Sequence, residues 1–277
     1  LAIEVNTLEL PELEPYRTLR RPQEHWRKRI FVAEGEKVVR RLLESQLTIV
    51  SFLMTPEWQK QIFPDPSGEI APVYVGSREL LESIVGFPLH QGIMAVAKMP
   101  MEGSLINFLD TQRALLLVGL DRVTSAENVG VIVRSCAAFG VDGILVDRTT
   151  SSPWLRRSVR SSMGGIFHVP VFHVPEMGKQ LAELKEIYGF RVTAAHPSGT
   201  ENLKSTTLTG NVIIMFGSEA AGLSDTVLKQ ADEKIAIPML NDTDSLNVAT
   251  AAAVFLYEAN RQRHENTIVD LKDSHSS

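Results

Sequence analysis

Six short apolar runs in the second half of the chain limit most tightly what it can fold into. They are ALLLVGLD (114–121), GILVD (143–147), IFHVPVF (166–172), FRVTAAHP (190–197), NVIIMFG (211–217) and EKIAIPM (233–239). Each is nearly continuous rather than alternating in polarity, which is the pattern of a strand buried on both faces. Helical spacing of apolar residues fills the intervals at 127–139, 176–188 and 224–230, and a long apolar helix, LNVATAAAVFLYEANRQR (246–263), closes the series. Strands that alternate with helices predict an α/β fold with a mostly parallel sheet covered on both sides.

The first hundred residues repeat the alternation on a smaller scale. RIFVAEG (29–35), LTIVSFLMT (47–55), APVYVG and GIMAVAK read as strands, and GEKVVRRLLES (35–45), PEWQKQIF and SRELLESIV as helices. MPMEGSLINFLDTQR (99–113) reads as a connector. The expected organisation is a smaller α/β domain over 1–100, a linker over 101–112, a larger α/β domain over 113–264 and a polar tail, 265–277, that frays. A chain of 277 residues is long enough for two cores. With 44% hydrophobic and 22% charged residues it has the composition of a soluble globular protein. Its one cysteine, Cys136, excludes a disulfide within the chain and points to a reducing compartment. No basic-then-apolar leader opens the sequence and no apolar run approaches a membrane-spanning length, so neither a secretory signal nor a membrane partner is expected, and the location is expected to be cytoplasmic.

A net charge of −5 argues weakly against a nucleic-acid partner, but the charge is unevenly placed. Residues 17–41 carry nine Lys/Arg against three Glu, and residues 148–160 carry four arginines and no acid. Such stretches suit a polyanion met by one face, or equally a solvated helix surface. Arg20, Arg21, Arg27, Lys28, Arg29, Arg156 and Arg157 are the phosphate-contact candidates, taken as a patch. Trp154 stands among them, either to stack on a base or as a half-buried anchor.

Three loops follow strands of the second domain, at the end of a parallel sheet where ligands bind. They are DRVTSAENVG, FGSEAAGLS (216–224) and IPMLNDTDSLNVA (237–249). Each alone has a plain structural reading. Ser224 and Asp225 can start a helix, and Ser245 or Asp244 can cap the last one. The first loop differs, because it runs into a half-buried helix that keeps Asn128 and Arg134, an arrangement that packing does not require and that a site holding a phosphate, or taking a proton from something bound to one, would use. No G-x-G-x-x-G follows the first strand and no P-loop lysine is present, so dinucleotide and triphosphate sites lack their fingerprints. One cysteine and no H-E-x-x-H leave no expected metal. His168 and His173 flank VPVF with a spacing that places them on opposite faces of a strand.

Taken together, ENVGVIVRSCAAFG, GSEAAGLS and IPMLNDTDSLNVATAAAVFLYE, in this order and spacing, resemble the three motifs of the SpoU (TrmH-like) RNA 2′-O-ribose methyltransferases of the SPOUT class. The resemblance covers residues 113–263. SSMGGIFHVPV (161–171) is similar to the family's intermediate glycine-containing segment, and FVAEGEKVVRRLL looks like part of a ribosomal-protein-L30e-like domain. The implied fold is α/β, with a C-terminal trefoil-knotted SPOUT methyltransferase domain and a smaller N-terminal L30e-like α/β domain that binds RNA.

The same resemblance implies S-adenosylmethionine as cofactor, held at Gly217, Ile237, Met239 and Leu246. It implies Arg134 as the residue that activates the ribose hydroxyl, with Asn128, Glu219, Ser245 and Asn247 gathered around it. Arginine is an unusual base, since its solution pKa lies above roughly 12. It acts either deprotonated in the complex or as a cation that clamps a phosphate. The implied partner is structured RNA, ribosomal in preference to transfer RNA, and the implied assembly is a homodimer through the C-terminal domain. Two departures stand out: SAEN replaces the usual acidic residue and proline before the asparagine, and Ala249 replaces a serine after SLNV. The rival functions are a non-catalytic RNA-binding or ribosome-assembly module and an enzyme of free nucleotides.

Overall fold

The computed structural model describes residues 2–65, 70–85, 91–111, 113–241 and 244–273. The chain forms two compact units, Leu1–Met101 with Trp154–His168, and Glu102–Pro153 with Val169–Ser277. The first unit therefore takes in a stretch that the sequence placed in the second domain.

In the first unit, β1 (Ile3–Glu4), α1 (Glu14–Arg17), α2 (Pro22–Arg27), β2 (Ile30–Glu34), α3 (Glu36–Leu43), β3 (Ile49–Met54), α4 (Pro56–Ile62), β4 (Val73–Val75), α5 (Arg78–Val85) and β5 (Ile93–Lys98) follow in order. The strands pair as β1-β4-β3-β5-β2, with β5 antiparallel to both its neighbours and the other pairs parallel. Helix α3 buries Val38, Val39 and Leu42 against the sheet, as its apolar spacing requires. The core under the other face gathers Leu13, Tyr16, Val32, Leu53, Leu81 and Val96. Burial pushes the Tyr16 phenol up, and its hydroxyl meets the Ser51 carbonyl and hydroxyl at 2.9 Å each.

The inserted stretch packs on β2. Trp154 lies 5.0 Å from the Phe31 ring and Phe167 lies 5.7 Å from it, centroid to centroid. Of the two readings open for Trp154, the structure shows the anchor, buried at 8% exposure. Helix α8 (Arg156–Ser161) turns Arg156 onto Glu34, and the two side chains are only 16% and 10% exposed. This corrects the placement of Arg156 among the phosphate contacts, since its guanidinium is committed to a carboxylate. The run 166–172 is not one strand either. Gly164, at φ 83, opens a 3₁₀ turn over Gly165–Phe167, and Pro170 cannot donate to a ladder, so strand structure begins at Val171. His168 accordingly ends the turn and His173 alone lies on a strand.

In the second unit, α6 (Leu105–Leu109), β6 (Leu116–Asp121), α7 (Ala126–Ala138), β7 (Gly143–Val146), β8 (Val171–His173), α9 (Met177–Tyr188), β9 (Arg191–Ala195), β10 (Glu201–Asn202), β11 (Val212–Gly217), α10 (Asp225–Leu228), β12 (Glu233–Ala236) and α11 (Val248–Asp273) build the larger fold. Its seven strands order as β10-β12-β9-β11-β6-β7-β8, every pair parallel. The expected linker is part of this core, because Leu109 is buried in it and Phe108 packs on Phe172 at 5.0 Å. Helix α11 packs along α7 and β11, with Phe255 edge-on to Phe216 at 5.7 Å. It continues to Asp273, past the expected start of the frayed tail at 265, and 274–277 lie outside the described residues. Cys136 is buried, with its thiol pushed up by burial.

The Glu34–Arg156 pair gives a direct prediction. Glu34→Ala strands a guanidinium with little solvent access and should destabilise the first unit by about 3 kcal/mol, as removal of one partner of a buried pair does. The double change Glu34→Ala with Arg156→Met should recover most of that loss in thermal unfolding. Equal losses in the single and double variants would show that the pair does not hold the inserted stretch.

Candidate active site

In the second unit β6 has β11 on one side and β7 on the other, and the chain travels outward in opposite directions from it. Loops leaving the carboxyl ends of β6 and β11 therefore diverge and leave a crevice. Ser125 starts α7 at this crevice, its hydroxyl accepting the Asn128 N–H at 3.3 Å. The amide of Asn128 then reaches both other loops. Its Nδ2 donates to the Glu219 carboxylate, and its Oδ1 accepts from Asn247 Nδ2 at 3.2 Å. An ionised carboxylate only accepts, so the Asn128 amide has one orientation here.

Asn247 serves twice. Its Oδ1 accepts the N–H groups of Ala249 at 2.9 Å and Thr250 at 3.4 Å, which makes it the cap of α11. Capping was expected from Ser245 or Asp244, but the helix begins at Val248, and only the residue before it faces the free amides.

A cavity of about 320 Å³ opens beside this trio, at the ends of β9, β11 and β12. Gly217, Ile237, Met239 and Leu246 all line it, together with Glu219 and Ser245. Sequence reasoning did not name Ala195 at the end of β9, His196 and Pro197 after it, nor Phe216, Ser218 and Phe255. A signal for the first three was available: AAHPSG is one more loop after a parallel strand and must emerge at the same end of the sheet. The floor is shaped by a tight turn, in which Ser218 and Gly222 exchange backbone bonds of 3.1 and 2.8 Å. A Cβ on Gly217 would stand 2.3 Å from the Gly222 carbonyl carbon, so only glycine fits where the turn folds back.

Arg134 is placed differently. It is exposed on α7, on the side shared with Glu127 and Val131, and it makes no hydrogen bond or ion pair with another described residue. The structure thus brings Asn128, Glu219 and Asn247 together, seats Ser245 in the cavity wall, and leaves the guanidinium open to solvent. Among the described residues no group of three or more His, Cys, Asp or Glu side chains is placed to hold a metal ion. No helix among them is long and apolar enough to cross a membrane.

In the first unit, Arg20, Arg21, Arg27, Lys28 and Arg29 sit exposed around α2. Arg21 pairs with Glu24 at 3.2 Å, Lys28 pairs with Glu14, and Arg29 donates to the Pro100 carbonyl at 2.7 Å. Arg157 is exposed on α8.

An all-parallel sheet with three converging loops, one apolar-floored cavity and an amide-carboxylate trio is the architecture of an α/β ligand-binding enzyme. Residues 115–257 match the model of the SpoU rRNA Methylase family. The chain is 33% identical over 262 residues to an uncharacterised tRNA/rRNA methyltransferase of Mycobacterium tuberculosis, covering 92% of this chain and 90% of that one. It is 32% identical to the 23S rRNA (guanosine-2′-O-)-methyltransferase RlmB of Acinetobacter baylyi, over 69% of this chain and 79% of the relative. Among solved structures, an AdoMet-bound rRNA methyltransferase from Sinorhizobium meliloti superposes with a TM-score of 0.80 at 25% identity, covering 94% of this chain and 98% of that one. The chain belongs to the SpoU family of RNA methyltransferases.

Gly217→Ala should destabilise the second unit by about 1–3 kcal/mol, the usual cost of forcing a methyl group into a filled space. Hydrogen exchange should localise the change to the Ser218 and Gly222 amides. Unaltered protection there would mean that the turn does not depend on the close approach.

Proposed function

We propose that this chain transfers a methyl group from S-adenosylmethionine to a ribose 2′-hydroxyl of structured RNA, ribosomal in preference to transfer RNA. The observation that carries the reading is the Asn128–Glu219–Asn247 trio at the rim of the cavity. The relative named for guanosine-2′-O-methylation supports the ribose as acceptor.

The cavity fits the cofactor in size and lining. Its volume of about 320 Å³ lies within the range of small-molecule sites. Ile237, Met239 and Leu246 would enclose the adenine, while Gly217 keeps the floor clear of side chain. When bound, S-adenosylmethionine supplies an electrophilic methyl group on a sulfonium.

A ribose hydroxyl is a weak nucleophile near neutral pH, so the chain's task is alignment and charge. Ideal orientation of the reacting groups contributes up to ~7–11 kcal/mol. Glu219, held by Asn128, would accept the hydrogen bond of the ribose hydroxyl and take its proton as the oxygen gains the methyl group. Arg134 would clamp the neighbouring phosphate and stabilise the oxygen as it gains charge.

The basic surface around α2 and Arg157 would hold the RNA backbone, with the first unit serving as an L30e-like RNA-binding domain. The second unit would close as the family's trefoil knot. In support, the chain leaves β12 near one edge of the sheet and must cross β9 and β11 to begin α11 on α7. A homodimer would use the exposed sides of α7 and α11, where Val131, Val254 and Tyr257 are 40%, 37% and 59% exposed. Cys136, single and buried, fits a cytoplasmic setting.

Tritiated methyl transfer onto RNA lacking the modification, followed by digestion to nucleosides, should yield one labelled 2′-O-methyl nucleoside. Arg134→Ala should lower that transfer at least about 10²-fold, the scale of losing one donor to a developing oxyanion. Its affinity for S-adenosylmethionine should stay unaltered in calorimetry. RNA binding without methyl incorporation by the wild type would overturn the proposal. Tyr257→Asp should shift the protein from dimer to monomer in sedimentation; an unshifted dimer would place the interface elsewhere.

A further inference from the structure

Two residues at the end of β6 lie outside the trio and outside the cavity lining, yet both reach the turn that carries Glu219. Asp121 is 3% exposed, and its Oδ2 accepts the Ser224 backbone N–H at 2.6 Å. Arg122 follows, and its Nη2 donates to the Gly222 carbonyl at 3.2 Å. These contacts span 103 and 100 residues of chain. They bracket the return limb of the turn, whose outward limb holds Ser218 and Glu219.

The backbone of Arg122 is unusual. It sits at φ 62, in the left-handed region that disfavours any residue with a Cβ. Its N–H donates to Asp147 Oδ1 at 3.0 Å, which holds that conformation. Asp147 in turn accepts the Thr149 and Thr150 hydroxyls at 2.5 Å each. Burial alone would raise its carboxyl, but these bonds together hold it below the usual range, so it is an anion at neutral pH. Glycine would take the same backbone conformation at lower cost. A side chain tolerated at such a position has a use, and here the side chain runs to Gly222.

We infer that Asp121 and Arg122 are positioning residues that clamp the return limb of the 217–224 turn and so place Glu219 and the Gly217 floor for cofactor and substrate. The clamp acts through backbone atoms of Gly222 and Ser224, which explains how Ala220 and Ala221 can be featureless while the turn keeps one shape. The inference rests on the cofactor reading given above.

Three variants of the full chain test it: Arg122→Gly, Asp121→Ala and Asp121→Asn. Arg122→Gly relieves the backbone and removes the clamp, so the melting temperature should hold or rise. Its Kd for S-adenosylmethionine in calorimetry should weaken about tenfold, the scale of one charge-assisted hydrogen bond. Asp121→Ala should weaken binding to a similar degree, and Asp121→Asn, which keeps an acceptor oxygen, should recover most of it. With saturating cofactor and RNA, kcat for Arg122→Gly should fall as well, because Glu219 is displaced. Wild-type affinity in both Arg122→Gly and Asp121→Ala would overturn the inference, as would weakened binding that only follows a loss of folded protein and is not recovered by Asp121→Asn. A wild type that binds no cofactor would instead overturn the functional proposal itself. Binding by the wild type, with Arg122→Gly and Asp121→Ala both binding equally well, would overturn the clamp alone.

Discussion

Seven strands that all run the same way leave the second unit one end at which every strand-following loop must emerge. That constraint, more than any single contact, determines where chemistry can occur. The order β9-β11-β6-β7 places the reversal of direction between β11 and β6, where the loops on either side part. Glu219 and Asn247 lie 91 and 119 residues along the chain from Asn128 in the first turn of α7, and the parallel sheet delivers all three to the same crevice.

Loops that meet in this way must satisfy one another's polar groups, and the trio shows how. Asn128 uses both ends of its amide, one toward the carboxylate and one toward Asn247. Asn247 caps α11 with the oxygen left over, while its backbone carbonyl accepts from Ala251 at 2.9 Å. The start of the longest helix and the edge of the site are therefore the same residue. Asn128 is half-buried and Glu219 and Asn247 are exposed, so each bond of the trio contributes about 0.5–1.5 kcal/mol. Packing carries the effect further, since α11 also sets Phe255 against Phe216 beneath the cavity.

Much of this was legible in the residues. A short continuous apolar run such as NVIIMFG, bounded by glycines, has the pattern of a buried strand, and β11 spans Val212–Gly217 within that run. Of the apolar spacing Val38, Val39, Leu42 and Leu43 that predicted α3, the first three are buried and Leu43 is half-buried. The motif residues Gly217, Ile237, Met239 and Leu246 share one cavity, as loops at one end of a parallel sheet must. Other features depend on contacts that no local pattern carries. IFHVPVF has strand composition, but Gly164 and Pro170 divide it, and tertiary packing on β2 decides the outcome. Arg156 looked like Arg157 in sequence, and only the fold shows that Glu34 faces one of them. The residue that caps α11 depended on a helix boundary that shifts by two positions between pattern and structure.

The central claim is that Asn128, Glu219 and Asn247 act as one unit in methyl transfer, and a double-mutant cycle addresses it directly. The quantity to measure is kcat/KM for methyl transfer to RNA in Asn128→Ala, Glu219→Ala and the double variant. A coupled trio predicts that the double variant is little worse than the poorer single, with an interaction energy of at least about 1 kcal/mol. Effects that add to within about 0.5 kcal/mol would contradict the account, because they would show two residues working independently across the crevice.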